Sequence, residues 1–152
     1  MFSLRPAVAD DAPRIRKLIR AERINPTGLD WQRFIVAVNL QGEVIACGQI
    51  KTHRDGSAEL ASLVVDPEHR GHGIARSLVG HLTEIHEGSL YLMCRASLGE
   101  FYTKLGFQTV SKPEMPSYFR KISHLASLVE ILQKEGETLL VMHRNENLST
   151  PL

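Results

Sequence analysis

The chain has 152 residues, 43% of them hydrophobic, and a formal net charge of +1. A chain of this size buries roughly 68–70% of its unfolded surface, which suits one domain with a sizeable core. The near-zero charge excludes any general electrostatic draw to nucleic acid or to an anionic membrane. No apolar run approaches the roughly 20 residues of a membrane span, and the first residues lack a basic stretch followed by an apolar one. The expectation is a cytoplasmic protein with no membrane and no nucleic-acid partner.

In chain order, Phe2 to Arg5 reads as a strand closed by Pro6. Asp10 or Asp11 then caps a helix with Pro13 in its first turn and Ile15, Leu18 and Ile19 on one face, ending near Ile24. Asn25-Pro26-Thr27-Gly28 breaks the pattern, and Leu29-Asp30-Trp31 is a loop or a short helix. Arg33–Val38, Val44–Thr52 and Ala58–Val65 read as an antiparallel meander, turned at Gln41-Gly42 and Asp55-Gly56. Asp66-Pro67 stops the third strand.

A helix follows with Ile74, Leu78, Leu82 and Ile85 facing inward, then a strand at Leu90–Arg95. Leu98–Leu105 is a short helix stopped by Gly106, and Phe107–Val110 a strand. Ile122, Leu125, Ala126, Val129 and Leu132 mark an amphipathic helix that ends at Gly136, before a last strand from Thr138 to Met142. Cys47 and Cys94 lie far apart in predicted strands, so buried reduced thiols are expected and no metal site. This order predicts an α/β chain: one mixed sheet with helices on its faces, as a single domain over 1–144, with a fraying tail at 145–152.

The stretch Glu59 to Arg76 carries the strongest chemical signal. Between its strand and its helix lies Arg70-Gly71-His72-Gly73, whose glycines can take backbone angles closed to other residues and leave the amides uncovered. With a helix dipole behind them, such amides form an anion site. A dinucleotide fingerprint would need a third glycine where Arg76 stands, and a P-loop needs a Gly-Lys-Ser/Thr that is absent.

Arg70-Gly71-His72-Gly73-Ile74-Ala75 resembles the acyl-CoA pyrophosphate motif, Gln/Arg-x-x-Gly-x-Gly/Ala, of the GNAT superfamily of N-acetyltransferases. The strand ending in Asp66-Pro67 and the segment Phe101-Tyr102-Thr103-Lys104-Leu105-Gly106-Phe107 extend the likeness, as does the element order. The resemblance implies acetyl-CoA as cosubstrate, lying between the strand that ends near Val65 and the strand Leu90–Arg95. It gives Leu63, Val64 and Val65 to the pantetheine chain, and Gly71, His72, Gly73, Ile74 and Ala75 to the pyrophosphate. Arg70 and Arg76 would add charge-assisted contacts, Arg76 being readable also as a solvated first-turn cation and His72 as exposed loop. Asn and Ala are common in the family seven and four residues before the tyrosine. Arg95 and Leu98 stand at those positions here.

For the chemistry, the resemblance implies Tyr102 as the acid that protonates the departing thiolate. A phenol, with an ordinary pKa of about 10, keeps its proton at neutral pH. Glu59 is the candidate base for the acceptor ammonium, or else a solvated strand-start carboxylate. A backbone amide near Leu63 is the expected oxyanion donor. Trp31, Tyr118 and Arg120 are the candidate acceptor contacts, with Arg120 suited to a carboxylate; the aromatic pair reads alternatively as core closure. The implied activity is acetyl transfer to a primary amine of a small molecule, amino-acid-like molecules included, by direct attack in a ternary complex, with a homodimer as one assembly the resemblance allows. Two alternatives stand beside it: a protein or peptide N-acetyltransferase, and a non-catalytic acyl-CoA-binding regulatory domain.

Overall fold

The computed structural model describes residues 1–132 and 138–146, and of 127–132 the backbone only. Its strands follow the order β1-β2-β3-β4-β5-β7-β6 in a mixed seven-stranded sheet. Two compact units divide the chain: Met1–Lys51 with Leu60–His86, and Thr52–Glu59 with the chain from Glu87 onward. No described helix is long and apolar enough to cross a membrane.

In the first unit, β1 (Phe2–Pro6) pairs antiparallel with β2 (Phe34–Asn39), and β2 with β3 (Val44–Thr52). Phe34 through Val38 are all buried, so β2 reads as an unbroken apolar run rather than an alternating one. Helix α1 (Ala12–Ala21) sets Ile15, Leu18 and Ile19 into a core that also holds Val36, Cys47 and Val64. Each such side chain contributes about 1.5–3 kcal/mol on burial. Asp11 precedes the helix, but its side chain makes no cap bond to α1. Its carboxylate accepts instead from Arg5, at 2.7 and 3.1 Å, and from Val8 N at 2.8 Å. The helix stops at Ala21, short of Ile24, because Arg23 turns left-handed at φ +53° and its amide folds back onto Arg20 O.

The loop after α1 is pinned to β3 by two buried polar side chains. Lys51 Nζ donates to Thr27 O at 2.9 Å, and Gln49 Nε2 donates to Gly28 O at 3.1 Å and to Ser62 Oγ at 2.9 Å. A 3-10 turn at Trp31–Arg33, capped by Asp30, leads into β2. Helix α2 (Ile74–Ile85) buries Ile74, Leu78, Val79 and Leu82. Ile85 is 57% exposed, against expectation; it is the last helical residue, with no following turn to flank it.

In the second unit, β5 (Leu90–Arg95) pairs antiparallel with β7 (Leu139–Arg144), which extends two residues beyond the expected end at Met142. The short β6 (Gln108–Thr109) joins β7 from its other side. The unit also holds the start of β4 (Ala58–Val65), whose Glu59 pairs in parallel with Tyr91. Helix α3 (Gly99–Thr103) follows a 3-10 turn at Ala96–Leu98, and Gly106 at φ +93° ends the segment as expected. Helix α4 (Ser117–Leu132) begins five residues before Ile122 and buries Phe119, while Leu125 is 57% exposed rather than inward. The expected end at Gly136, the side chains of Val129 and Leu132, and the tail from 147 lie outside the described residues. Cys47 and Cys94 are buried free thiols.

Candidate functional site

The first unit carries the glycine loop that the sequence marks as a candidate anion site. Asp66 ends β4 and caps a 3-10 turn at Pro67–His69 by accepting from Glu68 N, while its other oxygen takes a 2.6 Å ion pair from Arg14. The chain then passes Gly71 at φ +83° and Gly73 at φ +77° before α2 starts at Ile74. A methyl group built on either glycine meets no atom within 4 Å. What these positions require is therefore the left-handed backbone, which would strain any side-chain-bearing residue.

Gly73 is the N-cap of α2 and has no side chain to offer. Ser77 N closes the first turn onto Gly73 O at 3.0 Å, and the amides of Ile74, Ala75 and Arg76 belong to the first turn, where no intrahelical acceptor exists. An exposed loop with bare first-turn amides fits a pyrophosphate. The expected members of this set, Gly71, His72, Gly73, Ile74, Ala75 and Arg76, stand in continuous order here. His72 Nδ1 lies 2.9 Å from Arg70 O. Arg70 has another engagement: its Nε donates to Val65 O at 3.2 Å and its Nη2 pairs with Glu22, so it braces the loop against β4 and the end of α1.

Along β4, Val64 is buried in the core while Leu63 and Val65 are half-buried on the other face. Ser62, at φ +57°, interrupts the strand with a left-handed residue, a local irregularity of the kind that frees ladder groups. Trp31 packs against the core of this unit from its 3-10 turn.

The second unit carries the candidate acid and base. Tyr102, on α3, is buried, with Phe101 and Phe107 edge-on at centroid distances of 5.0 and 5.9 Å. Burial, with a smaller contribution from Cys94, pushes its phenol far above the ordinary tyrosine range, so the hydroxyl stays a proton donor at any working pH. Glu59 is half-buried, and its Oε1 lies 2.8 Å from Nε2 of His53. The His53 ring stacks on Tyr118, with centroids 3.5 Å apart and planes 13° from parallel. Burial first, and the Glu59 charge second, raise the Tyr118 phenol.

Asp55, in the β3–β4 turn, holds Tyr118 in place. Its carboxylate accepts from Ser57 and also from Tyr118 N at 3.0 Å and Ser117 Oγ at 3.3 Å, which makes it the cap of α4 supplied from another segment. These bonds, the Ser57 hydroxyl foremost, hold the Asp55 carboxyl well below the ordinary range. Arg120 is exposed and donates from Nη2 to Met115 O at 3.0 Å.

Glu59 and Tyr118 are thus brought together, and the residue that joins them, His53, is absent from the sequence reading. A signal for it existed. A tight turn at Asp55-Gly56 sets His53 opposite Ser57 and makes Glu59, two residues on, its diagonal neighbour on one face. Among the described residues no group of three His, Cys, Asp or Glu side chains is arranged to hold a metal ion.

A sequence-family profile described as acetyltransferase (GNAT) domain matches residues 30–109. The chain is 28% identical over 131 residues to an amino-acid acetyltransferase of Neisseria meningitidis, a match that covers 78% of this chain and 30% of the relative. It therefore spans under a third of the length of that curated relative. Among solved structures, N-acetylglutamate synthase from Neisseria gonorrhoeae, complexed with coenzyme A and N-acetyl-glutamate, superposes with a TM-score of 0.73 at 24% identity, over 97% of this chain and 35% of that one. An acetyltransferase of the GNAT family from Staphylococcus aureus gives 0.72 at 14% identity, over 97% of this chain and 100% of that one. At these identities the structural likeness is one of fold.

Proposed function

The chain belongs to the acetyltransferase (GNAT) family, and from that premise we propose that it moves the acetyl group of acetyl-CoA to the primary amine of a small molecule, an amino acid by class. The observation that carries this reading is the loop from Gly71 to Arg76, where two left-handed glycines lead straight into the bare first turn of α2. The amino-acid class is supported by the curated relative's name and by the N-acetyl-glutamate in the solved neighbour.

In this reading the backbone of Leu63, Val64 and Val65 holds the pantetheine chain, and the amides from Gly71 to Arg76 hold the pyrophosphate. Glu59 takes a proton from the acceptor ammonium, which exposes the nitrogen lone pair for attack on the thioester carbon. A backbone amide near Leu63 receives the charge that moves onto the carbonyl oxygen. As the carbon–sulfur bond breaks, Tyr102 gives its hydroxyl proton to sulfur, and the second nitrogen proton restores the phenol. The net products are the amide, the free thiol and one proton released through Glu59. Trp31 and Tyr118 contact the acceptor, and Arg120 turns from the Met115 carbonyl to the acceptor's carboxylate.

The test is thiol release from acetyl-CoA across a panel of the twenty amino acids, with polyamines and short peptides alongside. At least one amino acid should support turnover, and Tyr102→Phe should lower kcat by about 10²-fold or more. A peptide that outruns every amino acid would move the acceptor to the protein class. Silence with all acceptors, or a Tyr102→Phe variant as fast as wild type, would overturn the proposal.

A further inference from the structure

The turn that joins β3 to β4 brings a second titratable side chain onto Glu59. Gly56 N bonds to His53 O at 3.0 Å and His53 N to Ser57 O at 2.9 Å, so the chain reverses tightly and His53 faces the same way as Glu59. The resulting contact is 2.8 Å long, and the two side chains are only 13% and 12% exposed. An ionised carboxylate only accepts, so against ionised Glu59 the hydrogen sits on Nε2 of His53 and Oε1 is occupied. A proton taken up by Glu59 must then go to Oε2.

The imidazole has little freedom of its own. Tyr118 covers one face at 3.5 Å, and Phe119 meets it edge-on at 5.8 Å and 89°. Tyr118 is fixed in turn by Asp55 through its backbone amide, and Phe119 is wholly buried beside Tyr91. A glutamate side chain has three torsions of its own, whereas this ring is clamped by a turn, a helix start and a core aromatic.

We propose that His53 is the positioning residue of the base: clamped between the β3–β4 turn and Tyr118, its Nε2–H holds Oε1 of Glu59 and so directs Oε2 to the acceptor ammonium. The inference rests on the reading of Glu59 as base given above. His53 keeps its own hydrogen throughout; the ammonium proton passes to Oε2 and leaves from there to solvent. Its contribution is geometric, since a base must stand within about 2.6–3.2 Å of the proton it takes and a displacement of about 1 Å can cost 10²-fold in rate.

Two substitutions separate the hydrogen bond from the stacking. His53→Phe keeps a ring under Tyr118 and removes the donor, while His53→Gln removes the ring and keeps an N–H. With the fastest amino acid of the panel, His53→Phe should lower kcat about tenfold to a hundredfold, the loss expected for a hydrogen bond to a charged group. The KM for acetyl-CoA should stay as in wild type, and His53→Gln should recover most of the kcat. Glu59→Gln, measured alongside, should lose about 10²-fold or more.

A fast His53→Phe beside a slow Glu59→Gln would overturn the role of His53 and leave the base in place. So would a His53→Gln variant no better than His53→Phe. A fast Glu59→Gln would overturn the underlying reading itself. Imidazole nitrogen NMR of the unsubstituted chain at pH 8 gives an answer independent of any variant's folding: His53 should carry its proton on Nε2, and an Nδ1–H tautomer would overturn the proposal.

Discussion

Asp55→Ala removes a cap that α4 receives from a turn some sixty residues upstream. The carboxylate accepts from Tyr118 N at 3.0 Å and from Ser117 Oγ at 3.3 Å, and it also closes its own turn through Ser57 N at 2.9 Å. Loss of an N-cap acceptor costs typically about 1 kcal/mol, within a range of about 0.5–2. For a domain of this size that corresponds to a fall in Tm of roughly 2–4 °C. The effect is pH-dependent with a definite sign. The folded-state carboxyl is held below its ordinary value, so its stabilisation is complete above the usual carboxylate range of about 4 and drains away as pH falls below it.

Urea denaturation of wild type and Asp55→Ala at pH 7 should therefore show a gap that narrows steadily below pH 4. Hydrogen exchange should quicken at the Tyr118 amide in the variant, because that N–H loses its acceptor. Equal stability at pH 7, a gap that holds to low pH, or unchanged exchange at Tyr118 would refute the capping role of Asp55.

Gly73→Ala should cost about 1–2 kcal/mol in urea denaturation through its left-handed backbone alone, since the added methyl meets no atom within 4 Å. Gly73→Asn should cost less, because Asn tolerates that conformation better. Burial pushes the Cys47 thiol up to about 12 and the Cys94 thiol up to about 11. Neither should react with a thiol-exchange reagent at pH 8 until the chain unfolds, when both should; prompt reaction of the native chain would contradict their burial. Phe119→Ala should lose about 3–5 kcal/mol, as for other wholly buried aromatics, and a loss under 1 would mean that the α4 start is not packed as described.

Local pattern is what made much of this chain legible. Strands β3 and β4 match their expected bounds because apolar runs end in turn residues on both sides, at Gln41-Gly42, Asp55-Gly56 and Asp66-Pro67. The turn at 70–73 is readable for a similar reason: its glycines take left-handed backbone angles, which their spacing signals. What escaped is what depends on distant partners. The start of α4 is capped by Asp55, so no local N-cap marks it, and periodicity alone marks the helix only from Ile122.

The outward turn of Ile85 and Leu125 has the same lesson, because a helical stripe says which residues share a face but not how far the covering layer extends. Asp10 and Asp11 both stand where a local cap would be expected. The guanidinium of Arg5 shares the carboxylate of Asp11, six residues on, with the Val8 amide, so that carboxylate serves the preceding 3-10 turn at Ala9–Asp11 rather than the start of α1. A lone histidine before a turn carries no motif, so no local signal marks His53; its meaning comes from the carboxylate that the hairpin folds onto it.

The loop from Gly71 to Arg76 is proposed to receive the pyrophosphate of coenzyme A. Calorimetric titration of the chain with coenzyme A tests it most directly, with Gly73→Glu as the partner variant. One-to-one binding by the wild-type chain is expected, with a loss of at least about tenfold in affinity when a carboxylate stands in the loop, that is, about 1.4 kcal/mol or more. Unchanged affinity in a folded Gly73→Glu variant, or no binding of coenzyme A by the wild-type chain, would contradict it.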